Sequence, residues 1–166
     1  LSDTISSAVA DYDITSTYIN SSYDSYYLVM TLIPVNDNVS PQMQVFVGGT
    51  LDTGANYGSE IGTFDGGAVQ TSDSQDHIDL ARYNTGSSAG EGFSLVGTFT
   101  NINATDLPFS FQGTSHSGGT GAAPISAIIF GGLKMDQAGD VVNGIRIDFS
   151  GGNIESGSVQ LYGLRK

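Results

Sequence analysis

The feature that most constrains this chain is a strict alternation of apolar and polar residues within short segments. In the segment GFSLVGTFT, Phe93, Leu95 and Phe99 fall on one side, and Ser94 and Thr98 fall on the other. A period of two places alternate side chains on opposite faces of a β-strand. The segment therefore predicts a strand with one face in a core and the other face open to solvent.

Similar segments recur along the chain, rich in Val, Ile, Thr, Tyr and Phe and bounded by Gly, Asn, Asp and Pro. The clearest lie at residues 26–34, 42–49, 92–102, 107–113 and 124–132, with weaker candidates at 12–19, 60–64 and 78–83. Short strands at this spacing are typical of antiparallel sandwiches. We predict an all-β fold, an antiparallel β-sandwich that is jelly-roll-like, with about eight to ten strands.

The end of the chain carries two alternating runs on either side of a Gly/Asn turn, within residues 143–166. We predict a β-hairpin here, with Ile145 and Ile147 pointing inward opposite Val159 and Leu161. The outward positions would be Arg146, Asp148, Gln160 and Tyr162. This hairpin would complete a sheet of the core.

The length of 166 residues is that of one domain. Residues 1–10 are Ser-rich and weakly patterned, so we expect an extended N-terminal arm, followed by a single sandwich domain over residues 11–166. One segment is ambiguous: residues 72–83 fit either a short helix or a strand. We favour the strand because the rest of the chain is β.

The charge balance excludes one class of partner. The chain has 5 Lys and Arg against 17 Asp and Glu, a net charge of −12. A surface that binds nucleic acid needs clustered cations, so we expect no nucleic-acid partner. Cysteine is absent, which removes disulfides and thiolate metal sites, and no apolar run reaches membrane-spanning length. We therefore expect no membrane partner either.

The sequence shows no catalytic constellation. Only His77 and His116 are available for acid–base work near neutral pH, and they are far apart in the chain. Glu60, Glu91 and Glu155 lie beside Gly or Ser, which does not fit the apolar pocket that raises the pKa of a glycosidase acid. We predict that the protein is not an enzyme and binds no cofactor.

A loop Ca²⁺ is conceivable where aspartates cluster, since Ca²⁺ prefers oxygen ligands. The clusters are Asp11 with Asp13, Asp73 with Asp76 and Asp79, and Asp136 with Asp140. None matches the twelve-residue loop with its terminal glutamate. Solvated turn carboxylates are the better interpretation, so no metal site is predicted.

Two stretches carry a resemblance to a known family. The segment VNGIRIDFSGGNIESGSVQLYGLRK resembles the C-terminal signature GIRF.FSSGNI.SG...LYG of small bacteriophage virion proteins. The segment SSYDSYYLVMTLIPVNDNVSPQMQVFVGGTLDTGANY is similar to the Tyr-rich early part of that family. Residues 58–142 match mainly in the order of strands and loops. The resemblance implies a non-enzymatic phage structural protein, a homotrimeric β-sandwich on the outside of the head or on the tail.

Two functions follow from this resemblance. The first is a head decoration (cement) protein that binds the major capsid protein from outside and stabilises the shell, with the N-terminal arm lying across coat subunits. The alternative is a tail-fibre or spike domain whose loops carry Asn56, Tyr57 and His116 to a host-surface glycan. Tail proteins would then replace the coat as partners. In either case we expect the protein in the virion, on the outer surface of the head or on the tail.

Overall fold

The computed structural model describes residues 1–64, 69–105, 107–119, 125–133 and 141–165. This part of the chain contains thirteen β-strands and no helix. The strands are β1 (Ser2–Ile5), β2 (Tyr12–Ile14), β3 (Ser25–Pro34), β4 (Pro41–Val47), β5 (Thr50–Leu51), β6 (Tyr57–Thr63), β7 (Gln70–Gln75), β8 (Ile78–Asp79), β9 (Gly92–Thr100), β10 (Ser110–Gly118), β11 (Ile125–Leu133), β12 (Val142–Phe149) and β13 (Ile154–Leu164).

The strands form two antiparallel sheets that pack face to face. The larger sheet has eight strands in the order β1-β13-β3-β9-β10-β11-β6-β7. The smaller sheet has five strands in the order β2-β12-β4-β5, with β8 also paired to β4. The prediction of an all-β antiparallel sandwich is confirmed.

The alternating pattern places the core between the sheets. Leu28 and Met30 of β3, together with Phe99 of β9, project from the larger sheet and are at most 1% exposed. Met43 of β4 and Ile147 of β12 meet them from the smaller sheet and are fully buried. Burying each such side chain contributes roughly 1.5–3 kcal/mol, so the shared core is the main source of stability.

Most predicted strands are present, with shifted ends. The five clear segments correspond to β3, β4, β9, β10 and β11, and the three weaker ones to β2, β6 and β8. The ambiguous residues 72–83 contain no helix. Residues 72–75 belong to β7, and β8 covers only Ile78–Asp79. The sequence indicated fewer strands because β1, β5 and β7 are short or polar and carry no apolar alternation.

The prediction of a C-terminal hairpin is wrong. β12 pairs with β2 and β4, whereas β13 pairs with β1 and β3, so the two consecutive strands belong to opposite sheets. The predicted inward side chains are nevertheless buried. Alternation identifies which face of a strand is apolar but not which neighbour it pairs with. Two strands whose apolar faces meet across the core have the same alternating sequence as two strands that lie side by side in one sheet.

Residues 1–10, predicted to form an extended arm, lie against the sandwich. β1 pairs with β13 at the edge of the larger sheet, and Ile5 is buried. The amino group of Leu1 donates a hydrogen bond to the carbonyl oxygen of Leu161 at 3.0 Å. Val9 bridges to Ile154. This segment therefore covers one edge of the sheet.

Candidate functional site

The outer face of the eight-stranded sheet is unusual for an acidic protein. We call it the neutral face and define it as the alternate, outward-facing residues of 158–164, 25–31, 94–100, 110–116 and 126–130, on β13, β3, β9, β10 and β11. These side chains include no Asp, Glu, Lys or Arg. Two carboxylates border the face: Glu60 of β6 lies next to Phe130 in the register, and Glu91 lies beside His116 and Ser94. Most of the face consists of Ser, Thr, Gln, Tyr and aliphatic residues.

Exposed apolar side chains lie on both sides of the neutral face, on β13, β3 and β9 at one side and on β11 at the other. Phe130 is 52% exposed, Tyr162 50% and Val96 38%. Tyr27 is also exposed, and its ring centroid lies 6.3 Å from that of Tyr162. Single exposed apolar side chains are ordinary, but several on one face of a sheet are typical of an interaction surface.

The outer face of the five-stranded sheet is the opposite in character. Arg146 of β12 makes a two-pronged contact with Asp13 of β2, in which Nε and Nη2 donate to the two carboxylate oxygens at 2.7 Å each. Its Nη1 lies 3.3 Å from a carboxylate oxygen of Asp11, and its guanidinium stands 5.8 Å from the ring centroid of Phe46. The forked geometry of arginine suits this contact, which ties β2 to β12.

His77 lies beside these residues, just before β8. Its Nδ1 is 2.6 Å from Oδ1 of Asp76, and its Nε2 is 3.2 Å from Oδ1 of Asp79 and 2.9 Å from Nε2 of Gln42. The hydrogen bond to Asp79 raises the pKa of His77, and the contact with Asp76 adds to the effect, while burial opposes it. The ring is therefore held between carboxylates.

Asp148 completes the group. Its Oδ1 is buried and has no hydrogen-bond partner in the described part of the chain. Burial raises the pKa of this carboxyl to about 6, although His77 and Arg146 attenuate the increase. We call Asp11, Asp13, Asp76, His77, Asp79, Arg146 and Asp148 the charged cluster.

The charged cluster does not have the order of a hydrolytic triad. The Oγ of Ser72 donates to Oδ2 of Asp79 at 3.3 Å, and Oδ1 of the same carboxylate contacts His77. A triad needs the histidine between serine and carboxylate so that it can remove the serine proton. Here the carboxylate is in the middle. The arrangement orients the ring but does not activate a nucleophile.

The aspartate groups considered for Ca²⁺ do not assemble into a metal site among the described residues. No set of three or more His, Asp or Glu side chains there is arranged to hold a metal ion. The pair Asp136 and Asp140 lies outside the described residues. Asp11 and Asp13 are instead engaged by Arg146.

The three residues considered for a glycan do not form one site. Tyr57 is 1% exposed, so its ring cannot stack on a sugar. Asn56 turns back to Asp52, whose Oδ2 accepts from Nδ2 at 3.3 Å. His116 lies far away, because Tyr57 and His116 pair with opposite ends of β11, roughly 23 Å apart at the usual rise per strand residue.

His116 is the exposed member of this set, while Asn56 is half-buried. It borders a shallow groove of about 310 Å³ at one end of the neutral face, which Glu91, Thr31 and Ser94 also line. Its Nδ1 lies 3.0 Å from Oγ of Ser126. The volume is near the lower limit for small-molecule sites. The groove can offer polar contacts to one sugar ring.

Two tyrosines, Tyr26 and Tyr57, are buried in the core and hydrogen-bonded there. The hydroxyl of Tyr57 accepts from the backbone N–H of Val45 at 3.0 Å and donates to the carbonyl of Asp52 at 2.9 Å. The hydroxyl of Tyr26 accepts from the N–H of Asn20 and donates to its carbonyl. Tyr57 thus links β6 of the larger sheet to β4 of the smaller one.

Sequence reasoning missed the neutral face, although part of the signal was present. The outward positions of β3 and β11 include Tyr27, Val29, Ile128 and Phe130, which are apolar where a wet face would be polar. What the sequence lacked was the strand order that places β3, β9, β10 and β11 side by side. Without that strand order, the sequence does not show that these positions lie together on one face.

Comparisons of the chain with protein-family models, with curated proteins and with solved structures find no match. Within the described residues, no helix has the length and apolarity needed to cross a membrane. The class is therefore defined by the fold: an antiparallel β-sandwich with one neutral and one charged outer face.

Proposed function

We propose that this protein is a non-enzymatic bacteriophage virion structural protein, a head decoration protein that binds the outside of the capsid and stabilises the shell. The observation that carries the proposal is the sequence resemblance to small phage virion proteins. Its two segments now have places in the fold. The C-terminal one forms β12 and β13, and the early one forms β3, β4 and β5.

The resembling segments are neighbours in space, so the resemblance concerns one connected part of the fold. β13 pairs with β3 along ten register positions, and β12 pairs with β4. Each sheet thus contains strands from both segments. Residues 92–100 and 110–118, which match the family only in general layout, pair farther along the larger sheet.

Decoration calls for a stable module with a broad contact surface and no chemistry of its own. The neutral face offers such a surface, since exposed apolar and hydroxyl side chains can pack against another protein without removing charges from water. Repetition over a symmetric shell would make weak individual contacts strong in sum. The resemblance implies a homotrimer, with the major capsid protein as partner.

Gold-labelled antibody against the protein, applied to intact virions and viewed by electron microscopy, tests this proposal. We expect label distributed over the head. A second arm compares heads with and without the protein for resistance to heat and to low ionic strength, and we expect decorated heads to survive longer. Label absent from every virion would overturn the virion assignment.

Label confined to the tail would instead favour the alternative, a tail-fibre or spike domain that contacts a host-surface glycan. The observation that favours this alternative is the groove beside His116. Under it, His116→Ala would lower adsorption of phage to host cells at least about tenfold, because a small site depends on few polar contacts. The control His77→Ala changes the charged cluster on the other sheet and should leave adsorption unchanged.

A further inference from the structure

We propose that the neutral face binds the neutral face of a second copy of this chain, in a twofold-symmetric, sheet-on-sheet contact. The proposal does not depend on the virion assignment; in a virion, the coat would compete with the second copy for this face. It rests on three features of the described residues: where the charges are, how side chains are ordered across the strands, and how large the face is.

Charge limits the ways in which two copies can meet. Each copy carries a net charge of −12, so identical copies repel at most orientations. At physiological salt, charges are screened beyond about 8 Å, so only those near the contact decide the energy. The charged cluster would bring five carboxylates per copy together on the smaller sheet. The neutral face brings none.

The order of side chains across the neutral face is self-complementary. One row runs Tyr27, Thr98, Gln112, Phe130 over β3, β9, β10 and β11. A twofold axis that lies in the contact plane, parallel to the strands and between β9 and β10, exchanges the two ends of this row. Tyr27 then meets Phe130 of the second copy, and Thr98 meets Gln112.

The neighbouring row repeats the pattern. It runs Val29, Val96, Thr114, Ile128 over the same four strands. The same axis places Val29 against Ile128 of the second copy, so apolar side chains meet apolar ones at both ends. Aligned packing of two sheet faces is the ordinary geometry inside β-sandwiches. One twofold axis therefore places apolar side chains against apolar side chains in both rows.

The part of the face that the axis pairs with itself is sufficient for a contact of moderate strength. The four strands β3, β9, β10 and β11, about 4.8 Å apart and about 20 Å long, give a footprint of roughly 400 Å². At its border β13 lies opposite β6 of the second copy, with Tyr162 across from Glu60. Stable interfaces bury about 800 Å² per partner, so we expect a dimer that dissociates on dilution. A twofold contact joins two copies, whereas the resemblance implies three. The measured number of copies therefore tests this proposal.

Light scattering after size-exclusion chromatography and sedimentation velocity measure this directly on the 17.2 kDa chain. We expect a mass of two copies that falls toward one on dilution. Val29→Glu and Ile128→Lys should each weaken association at least about tenfold, because each places a charge against an apolar side chain. Val69→Glu is the matched control: Val69 is 63% exposed and lies outside the neutral face. It should leave association unchanged.

Mixing the two variants identifies the axis. In a Val29→Glu and Ile128→Lys heterodimer, the glutamate faces the lysine at one contact and isoleucine faces valine at the other. The mixture should associate within about tenfold of the original protein, although each variant alone is monomeric. Unchanged thermal melts verify that both variants fold. A monomer at all concentrations, a mass of three copies, association that survives both single variants, or no rescue on mixing would each overturn the contact.

Discussion

At the scale of single residues, buried hydroxyl groups connect parts of the molecule that the sheets alone leave apart. The N–H of Val45 faces away from β12, between the short strands β5 and β8, where no strand reaches it. The hydroxyl of Tyr57 fills this position and also holds the carbonyl of Asp52. Such a group is structural even though its residue type is common at interfaces.

Tyr57→Phe should therefore lower the free energy of unfolding by about 1–3 kcal/mol, because the buried N–H and carbonyl lose their partner. Chemical denaturation measures the change. Tyr18→Phe, at a ring that is 45% exposed, is the control and should change stability by less than about 0.5 kcal/mol. Equal effects of the two substitutions would mean that the Tyr57 hydroxyl is not bonded as described.

Asp148 predicts an unusual pH dependence. Its pKa is raised from the ordinary value of 3.8 to about 6, so the folded state binds a proton that the unfolded state has lost. The contribution of this group to stability therefore falls as the pH rises from 3.8 to about 6 and is constant above that. The raised pKa of His77 acts in the same direction, since its stabilising contribution is lost as the pH rises through the folded pKa.

Asp148→Asn should stabilise the protein at pH 7.5 by about 1 kcal/mol, a value reduced for the partial exposure of the group. The gain should shrink toward zero at pH 4, where the native carboxyl is protonated. Thermal melts over this range measure it. Asp73→Asn, at an exposed position of β7, is the control and should change stability at pH 7.5 by less than about 0.5 kcal/mol. A gain at pH 4 equal to that at pH 7.5 would contradict the burial argument.

At the scale of elements, two adjacent glycines shape the contact between β9 and β10. Gly97 and Gly113 are direct partners in the register, and the ring of Phe111 lies over both. A Cβ on Gly97 would overlap that ring, and one on Gly113 would overlap the carbonyl oxygen of Val96. The glycines let a large aromatic ring lie flat against the sheet, where it also contacts Phe99.

Gly97→Ala should destabilise the protein by about 2–3 kcal/mol, since the Phe111 ring must leave its position in the core. Gly62→Ala is a matched control in β6, because a Cβ there meets no atom within 4 Å. That change should be neutral or stabilise slightly. The comparison of the two melting temperatures separates overpacking from the general effect of adding a methyl group.

The elements also show how far sequence reasoning extended. Alternation located β3, β4, β9 and β11 and their buried faces, because the period of two is a local property of the chain. It could not assign neighbours, since pairing is decided by contacts between distant segments. This is why the sequence predicts a hairpin for β12 and β13 and a single site for His116 and Tyr57. The charged cluster has no signature in the sequence for the same reason: Asp13, His77 and Arg146 are far apart in the chain.

At the scale of the whole molecule, β13 holds the larger sheet together because it lies between β1 and β3. Deleting residues 158–166 removes most of this inner strand, leaves β1 without a partner and exposes one edge of β3, so we expect no cooperative thermal transition. Deleting residues 1–10 removes only the edge strand β1 and should lower the melting temperature while the transition stays cooperative. Circular dichroism of the two truncated chains tests the difference, and a cooperative melt of the first would contradict the assigned position of β13.

The position of β13 also bears on how quickly the protein reaches its native state. Ser25 of β3 pairs with Leu164, and Ser2 of β1 pairs with Gln160, so these ladders join residues that are separated by nearly the whole sequence. The entropy lost in closing such long loops must be met before the contacts form. Refolding should therefore take milliseconds to seconds rather than microseconds. During that interval β3, with its apolar residues on both faces, has an uncovered edge, and chaperones or crowded neighbours can bind it before β13 does.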